Sequence, residues 1–203
     1  AGRPVKICLT REEVFYAHRG RHPVRMWFRT GVTREGRITA MHFRSYLDGG
    51  AYGSYGVASL YYTGALQTVT YQVPRYKFEG VRVFTNKPPC GPKRGHGTPQ
   101  PRCALEVHLD KIAEQLGLDP AEMRRRHLVP PNSVTVNQLR IGTVGLGECL
   151  DRVVERSGWK AKHRTLPFGH GIGIAGSAYI SGAGLPIYWT AMPHSGVMIK
   201  IDR

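Results

Sequence analysis

The chain has 203 residues, 41% of them hydrophobic, and a formal net charge of +15. That is enough for one sizeable domain, or one domain and part of another, and no apolar run approaches the roughly 20 residues of a membrane helix, which excludes a helical span. The charge raises nucleic acid as a partner. The cations, however, are scattered through strands and helices with one compact run at residues 124–126, and no RNA-binding or zinc-finger signature accompanies them. Acidic partner subunits, acidic parts outside the chain or a phosphorylated ligand would account for the same charge.

Cys8, Cys90, Cys103 and Cys149 form no close pair, so neither zinc nor an iron–sulfur cluster is predicted, and without an apolar signal core the expected state is free thiols in a reducing cytoplasm. The opening "AGRPVKICLTREE" has no initiating Met, and the closing "GVMIKIDR" stops within a strand-like alternation. Both ends read as cuts, and an internal piece of a longer chain is expected.

In chain order, "RPVKICL" reads as a short strand. "TREEVF" reads as a capped helical turn, with Thr10 and Glu13 spaced as a capping box. "HPVRMWFRTGVT" and "RITAMHFRSYLDGG" alternate polar and apolar residues around "REG", which predicts an antiparallel hairpin with Val24, Met26, Phe28, Ile38, Ala40 and His42 on one face. "DGGAYGSYGVASLYYTGAL" loses the alternation, and reads either as a strand end entering a binding loop or as a tightly packed barrel corner. "YKFEGVRVFTN" is a further strand, and it delivers the chain into "TNKPPCGPKRGHGTPQ".

Helix signals follow. Thr98 is a candidate cap with Pro99 at the first helical position, and Leu105, Leu109, Ile112 and Leu116 fall at helical spacing up to Gly117. Asp119, Pro120 and Glu122 open a second helix with capping-box spacing, and "GLGECLDRVVERSGW" predicts a third. "GHGIGIAGSAYISGAGLPIYW" and "SGVMIKIDR" read as strands. Strands and helices come in separate runs, so the predicted fold class is α+β: antiparallel strands with packed helices.

Gly169, Gly171, Gly173 and Gly176 imitate a dinucleotide fingerprint, but the strand-like "SAYIS" follows them where a helix is needed. "CGPKRG" lacks the spacing and the Ser or Thr of a phosphate-binding P-loop. It is nevertheless a stiff loop feeding a helix N-terminus whose amides favour an anion, with the planar donors of Arg94 beside them; an Arg94–carboxylate pair is the plainer alternative. His96, two residues from that cation, is expected to be neutral and to bond either a ligand or its own backbone.

"DGGAY" and "TNKPPCGPKRGHGTPQ", running into "ALEVHLDKIAEQLGLDPAEMRRRHL", resemble the molybdopterin-binding large subunits of the xanthine oxidase family. That family typically has a T-N-x-P loop, an Arg-Gly-aromatic-Gly turn, Pro-Gln and a helix ending G-x-x-P-x-E-x-R; here the turn reads Arg94-Gly95-His96-Gly97. Nearly the whole chain is covered, and "CGPKRGHGTPQPR" is most similar to the 4-hydroxybenzoyl-CoA reductase branch, which reductively removes a phenolic hydroxyl from an aromatic CoA thioester. The resemblance implies residues 1–165 as part of a first molybdenum-binding domain, with 166–203 leading into a second. It implies Arg94, Gly95 and Gly97 against the cofactor, Tyr62 and His96 as the catalytic pair, and Ala183 and Gly184 widening the substrate pocket. Tyr62 falls where purine-oxidising relatives keep an arginine, and His96 where they keep a stacking ring. The implied cofactor is molybdopterin with molybdenum, in a cytosine dinucleotide form, with iron–sulfur clusters and FAD on partner subunits. A dimer of heterotrimers, a ferredoxin-type electron donor and a cytoplasmic location complete the expectation; an aldehyde or N-heterocycle hydroxylase of the same family is the alternative.

Overall fold

A computed structural model describes residues 2–180 and 197–201. The alternating region folds as an antiparallel pair, β1 (Val24–Val32) and β2 (Ile38–Asp48), with Gly36 in the turn at φ +85°. Phe28 faces Phe43 and stacks on it, ring centres 4.2 Å apart. The inward face of β2 differs from the expected one. Val32 pairs with Ile38 but Gly31 pairs with Ala40, so a bulge leaves Thr39 without a partner across the ladder. One extra residue reverses the side-chain phase. Beyond Ile38, the buried positions are Met41, Phe43, Ser45 and Leu47, while Ala40 and His42 turn to the other face.

The third strand, β3 (Tyr76–Val83), joins β2 in parallel, which corrects the purely antiparallel expectation. Parallel neighbours need a crossover, and the Gly- and Tyr-rich stretch supplies it. Rather than a strand end or barrel corner, this stretch forms a helix, α2 (Gly56–Ala65), followed by a 3-10 turn, Leu66–Val69. Its helical period is real but carried by small and polar residues: Gly56, Ser59, Tyr62 and Thr63 are among the buried ones. Gly64 leaves space for the Phe78 ring, which would stand 2.1 Å from a Cβ there.

The aliphatic stripe of the next predicted helix forms as expected in α3 (Pro99–Gln115), which lies on the sheet's inner face. Leu105, Leu109 and Ile112 join Ile38, Met41, Tyr71, Val73 and Met123 in one core, with Leu116 at its edge. Thr98 precedes α3 but does not cap it; its hydroxyl donates to Gly95 O instead. In α4 (Pro120–Arg125), Asp119 caps as predicted, accepting from the amides of Ala121 and Glu122. Glu122 does not close the box, because its carboxylate pairs with Arg126 at 2.9 Å. The predicted third helix is α5 (Leu146–Ser157), stopped by Gly158 in the left-handed region and continued by a short turn, α6 (Trp159–Lys162).

Residues 171–180 are extended with alternate residues half-buried: Ile172 and Ile174 pack near Trp159, and Ala178 and Ile180 near Leu66 and Val69. The strand-like period is therefore real, yet no ladder partner exists among the described residues. Residues 3–9 and 197–201 are likewise unpaired there, and expose Val5, Ile7, Val197 and Ile199. The helix at Arg11–Ala17, α1, carries the full capping box between Thr10 and Glu13.

Arg124 is 1% exposed and is held by Glu106 at 2.7 Å, Asp110 at 2.7 Å and Pro120 O at 3.0 Å. Removing one partner of a buried ion pair strands the other without water. Arg124→Ala is expected to cost about 3–5 kcal/mol in urea unfolding. Arg152→Ala breaks the exposed pair with Glu148 and should cost under ~1 kcal/mol.

Candidate active site

The site begins where β2 ends. Gly50 sits at φ +65°, and a Cβ there would lie 2.1 Å from Pro88 O. This bare turn lets two backbone segments close on each other: Ala51 N donates to Lys87 O at 2.8 Å, Cys90 N to Gly49 O at 2.9 Å, and Thr85 N to Gly50 O at 3.1 Å. Asp48 secures the same seam, accepting from Lys87 Nζ, Thr85 Oγ1 and Gly50 N. The Lys87 and Thr85 hydrogen bonds hold its carboxyl at a pKa of about 2.

The loop between residue 84 and α3 is tied on its other side too. Gly20 exchanges backbone bonds with Pro89 and Gly91, at 3.1 and 3.0 Å. Arg21 Nη2 donates to Arg94 O at 3.0 Å, and Gln100 Nε2 to His22 O at 2.8 Å. The turn itself takes up φ values of +29° at Arg94, +89° at Gly95 and +81° at Gly97. Gly97 is pressed onto α2: a Cβ would lie 2.3 Å from Ser59 O, and Thr63 Oγ1 donates to Gly97 O at 2.8 Å.

This seam brings Tyr62 and His96 side by side. Their ring centres are 4.5 Å apart at 38°. Tyr55 lies 5.7 Å from His96, and Tyr179 lies 6.3 Å from Tyr62, nearly parallel to it. Sequence reasoning does not single out Tyr55 or Tyr179. Their signals are the tyrosine density of the crossover, and the phase of "SAYIS", which sets Tyr179 apart from the half-buried Ala178 and Ile180.

The imidazole of His96 is held below its ordinary pKa, as predicted, but for a different reason. Burial is the main cause, partly offset by a hydrogen bond with the Tyr55 backbone, and Arg94 plays no part in it. His96 Nε2 is buried with no hydrogen-bond partner among the described residues. Arg94 projects to solvent and makes no ion pair among them, so the carboxylate alternative does not hold there. Ala183 and Gly184 lie outside the described residues.

Two observations bear on what the site could hold. The amides of Arg94, Gly95, His96 and Gly97 donate no hydrogen bond to the described residues, and the orphaned His96 Nε2 sits beside them. Unspent donors beside bare glycine backbone fit a group that presents oxygen or sulfur acceptors. No three His, Cys, Asp or Glu side chains among the described residues converge on a metal position.

Residues 1–128 match the molybdopterin cofactor-binding domain. The chain belongs to this family. The xanthine dehydrogenase molybdenum-binding subunit of Escherichia coli O157:H7 is 34% identical over 188 residues, covering 89% of this chain and 25% of that protein. The nicotinate dehydrogenase large molybdopterin subunit of Eubacterium barkeri is 34% identical over 157 residues, covering 76% and 37%. Among solved structures, quinoline 2-oxidoreductase from Pseudomonas putida 86 superposes with a TM-score of 0.69 at 29% identity, over 75% of this chain and 20% of that one. The chain thus spans well under half the length of these relatives. No helix among its described residues is long and apolar enough to cross a membrane.

Two measurements check the site's construction. Gly97→Ala places a methyl against Ser59 O in a left-handed backbone, so it should cost more than ~2 kcal/mol, whereas Gly142→Ala, with open space around it, should stay within about 0.5 kcal/mol. Acid supplies the other. Burial and the Arg82 charge hold His22 at a pKa of about 4. The unfolded chain therefore binds more protons than the folded one between about pH 6.5 and 4, and stability falls as pH drops through that window. His22→Gln should flatten the fall; an equally steep acid limb would contradict the assignment.

Proposed function

We propose that this chain is part of the molybdenum-bearing subunit of a xanthine-dehydrogenase-family hydroxylase acting on a planar N-heterocycle. The observation that carries this is the tilted contact of the Tyr62 and His96 rings, centres 4.5 Å apart, with His96 inside the glycine turn itself, in a family whose members compared above are named for xanthine, nicotinate and quinoline. When bound, the molybdenum cofactor supplies a two-electron redox centre. Arg94, Gly95 and Gly97 would hold it through the turn's amides, with the Arg94 guanidinium available to an anionic part of the cofactor. Tyr62, Tyr55 and Tyr179 offer ring surfaces for an aromatic substrate and keep water from one side of it.

His96, neutral and with no partner at Nε2 among the described residues, either donates to a substrate carbonyl or accepts from a ring N–H, according to its tautomer. The Tyr62 phenol adds a second hydrogen-bonding group without the fixed charge of an arginine. Ala183 and Gly184 remain proposed as the small residues at the pocket mouth. Partner subunits carrying iron–sulfur clusters and FAD, a cytosine dinucleotide form of the cofactor, a cytoplasmic location and a division of the chain near residue 165 belong to the same proposal.

The Tyr62–His96 pairing also favours a second reading, reductive dehydroxylation of 4-hydroxybenzoyl-CoA with a ferredoxin-type donor. Loss of a phenolic hydroxyl needs a proton at the leaving oxygen, and two adjacent hydrogen-bonding groups can supply and stabilise it. The full-length protein should contain molybdenum and turn over an N-heterocycle such as nicotinate or xanthine. Tyr62→Phe and His96→Ala should each lower kcat by about 10²-fold or more; a change in KM alone would leave them as binding groups. Turnover of 4-hydroxybenzoyl-CoA with no N-heterocycle oxidised would establish the second reading, and a protein without molybdenum would defeat both.

A further inference from the structure

Arg82 lies on the inner face of β3, and the alternation of its strand does not mark it out. Its guanidinium reaches three separate segments. Nε donates to His22 Nε2 at 3.2 Å, and Nη2 lies 3.0 Å from Gly49 O and 3.4 Å from Cys90 O. The guanidinium carbon also stands 5.3 Å from the Phe84 ring centre. Two glycines give the fork its space. A Cβ on Gly49 would fall 2.5 Å from Arg82 Cζ, and one on Gly56 would fall 2.2 Å from Nε.

These contacts join the elements that carry the aromatic pair. Gly56 is the first residue of α2, which presents Tyr62 two turns further on. Cys90 opens the loop that presents His96, and His22 O receives Gln100 Nε2 at the loop's far end. The gap between helix and loop is therefore filled by a charged planar group with three fixed acceptors around it. An ammonium on a flexible stem offers neither that shape nor those directions. His22 must present its Nε2 lone pair to Arg82; its depressed pKa keeps the ring uncharged near neutrality, and the hydrogen bond selects the tautomer with the proton on Nδ1.

We propose that Arg82 is a positioning residue, which sets the spacing of α2 and the 90–97 loop and thereby the separation of the Tyr62 and His96 rings. The proposal rests on the reading of those two rings as the substrate pocket. Arg82's own contacts are with His22, Gly49, Cys90 and Phe84.

The test uses the full-length, molybdenum-loaded protein with Arg82→Lys and Arg82→Met, and measures kcat per bound molybdenum, KM, and the crystal structure of a variant. A purely structural role would lower yield or melting temperature and leave kcat per molybdenum unchanged. Positioning predicts a fall of about 10–100-fold in kcat per molybdenum in both variants, since misplacement by about 1 Å carries a cost of that order. It also predicts a Tyr62–His96 separation changed from 4.5 Å and partial rescue of the Met variant by added guanidinium ion. Should Arg82→Met fail to fold, Arg82→Lys decides. Wild-type kcat per molybdenum in Arg82→Lys, or unmoved rings in its crystal structure, overturns the proposal. A wild-type protein without molybdenum would remove the functional reading, and the ring separation in the variant would still decide whether Arg82 sets it.

Discussion

Pro88 O stands where a side chain on Gly50 would have to go. The rest of the molecule depends on that contact, because it allows the turn after β2 and the loop after β3 to share backbone hydrogen bonds. The two segments are far apart in sequence, and the crossover helix α2 must pack into the space they leave. Gly56, Gly64 and Gly97 each meet a neighbour at 2.1–2.3 Å from a notional Cβ, so α2 is wedged between β3 and the loop with no slack. Glycine is costly to order; here Gly97 removes an atom that would push the loop off α2, and Gly56 and Gly64 remove atoms that would push α2 off Arg82 and Phe78 of β3.

The high positive charge is distributed in a way that its total conceals. Arg124 and Arg102 are buried, the first tying α3 to α4 through Glu106 and the second donating to Leu66 O at 2.6 Å. Arg82 is committed to the interior of the seam. On the outer face of the sheet, Glu79 collects His42, Arg44 and Lys77, and its carboxyl is held at a pKa of about 2, chiefly by the His42 hydrogen bond. Several arginines and lysines thus serve architecture, which weakens the case for nucleic acid that the bare total makes. Arg94 differs from these: it faces solvent beside the unspent amides of the turn.

Much of the fold is legible in the sequence. The hairpin, the α3 stripe of Leu105, Leu109 and Ile112, the Gly117 stop and the Asp119 cap all follow from local periodicity and capping chemistry, and the α+β arrangement with them. Among the features that escape, two have a plain physical reason. The bulge at Thr39 reverses the inward phase of β2, and a single unpaired residue leaves no mark in composition. The helix α2 escapes because its buried face consists of Gly, Ser, Thr and Tyr, which carry little hydrophobic signal. In the site, the stiff glycine turn is legible in the residues themselves, whereas Tyr62 and His96 are singled out only by the resemblance; the structure sets their ring centres 4.5 Å apart. Tyr55, Tyr179, Arg21 and Arg82 are not foreseeable in this way, since their roles arise from contacts between distant segments. The neutrality of His96 is foreseeable, but its cause is burial.

The central claim is that the turn from Arg94 to Gly97 receives the molybdenum cofactor with the aromatic pair beside it. A crystal structure of the full-length loaded protein, with the metal located from its anomalous signal, tests this directly. The account predicts molybdenum next to that turn, with its ligand atoms within hydrogen-bond reach of the turn's amides and the Tyr62 and His96 rings lining the same pocket. Molybdenum bound elsewhere, with the turn facing solvent and its amides unsatisfied, would contradict it.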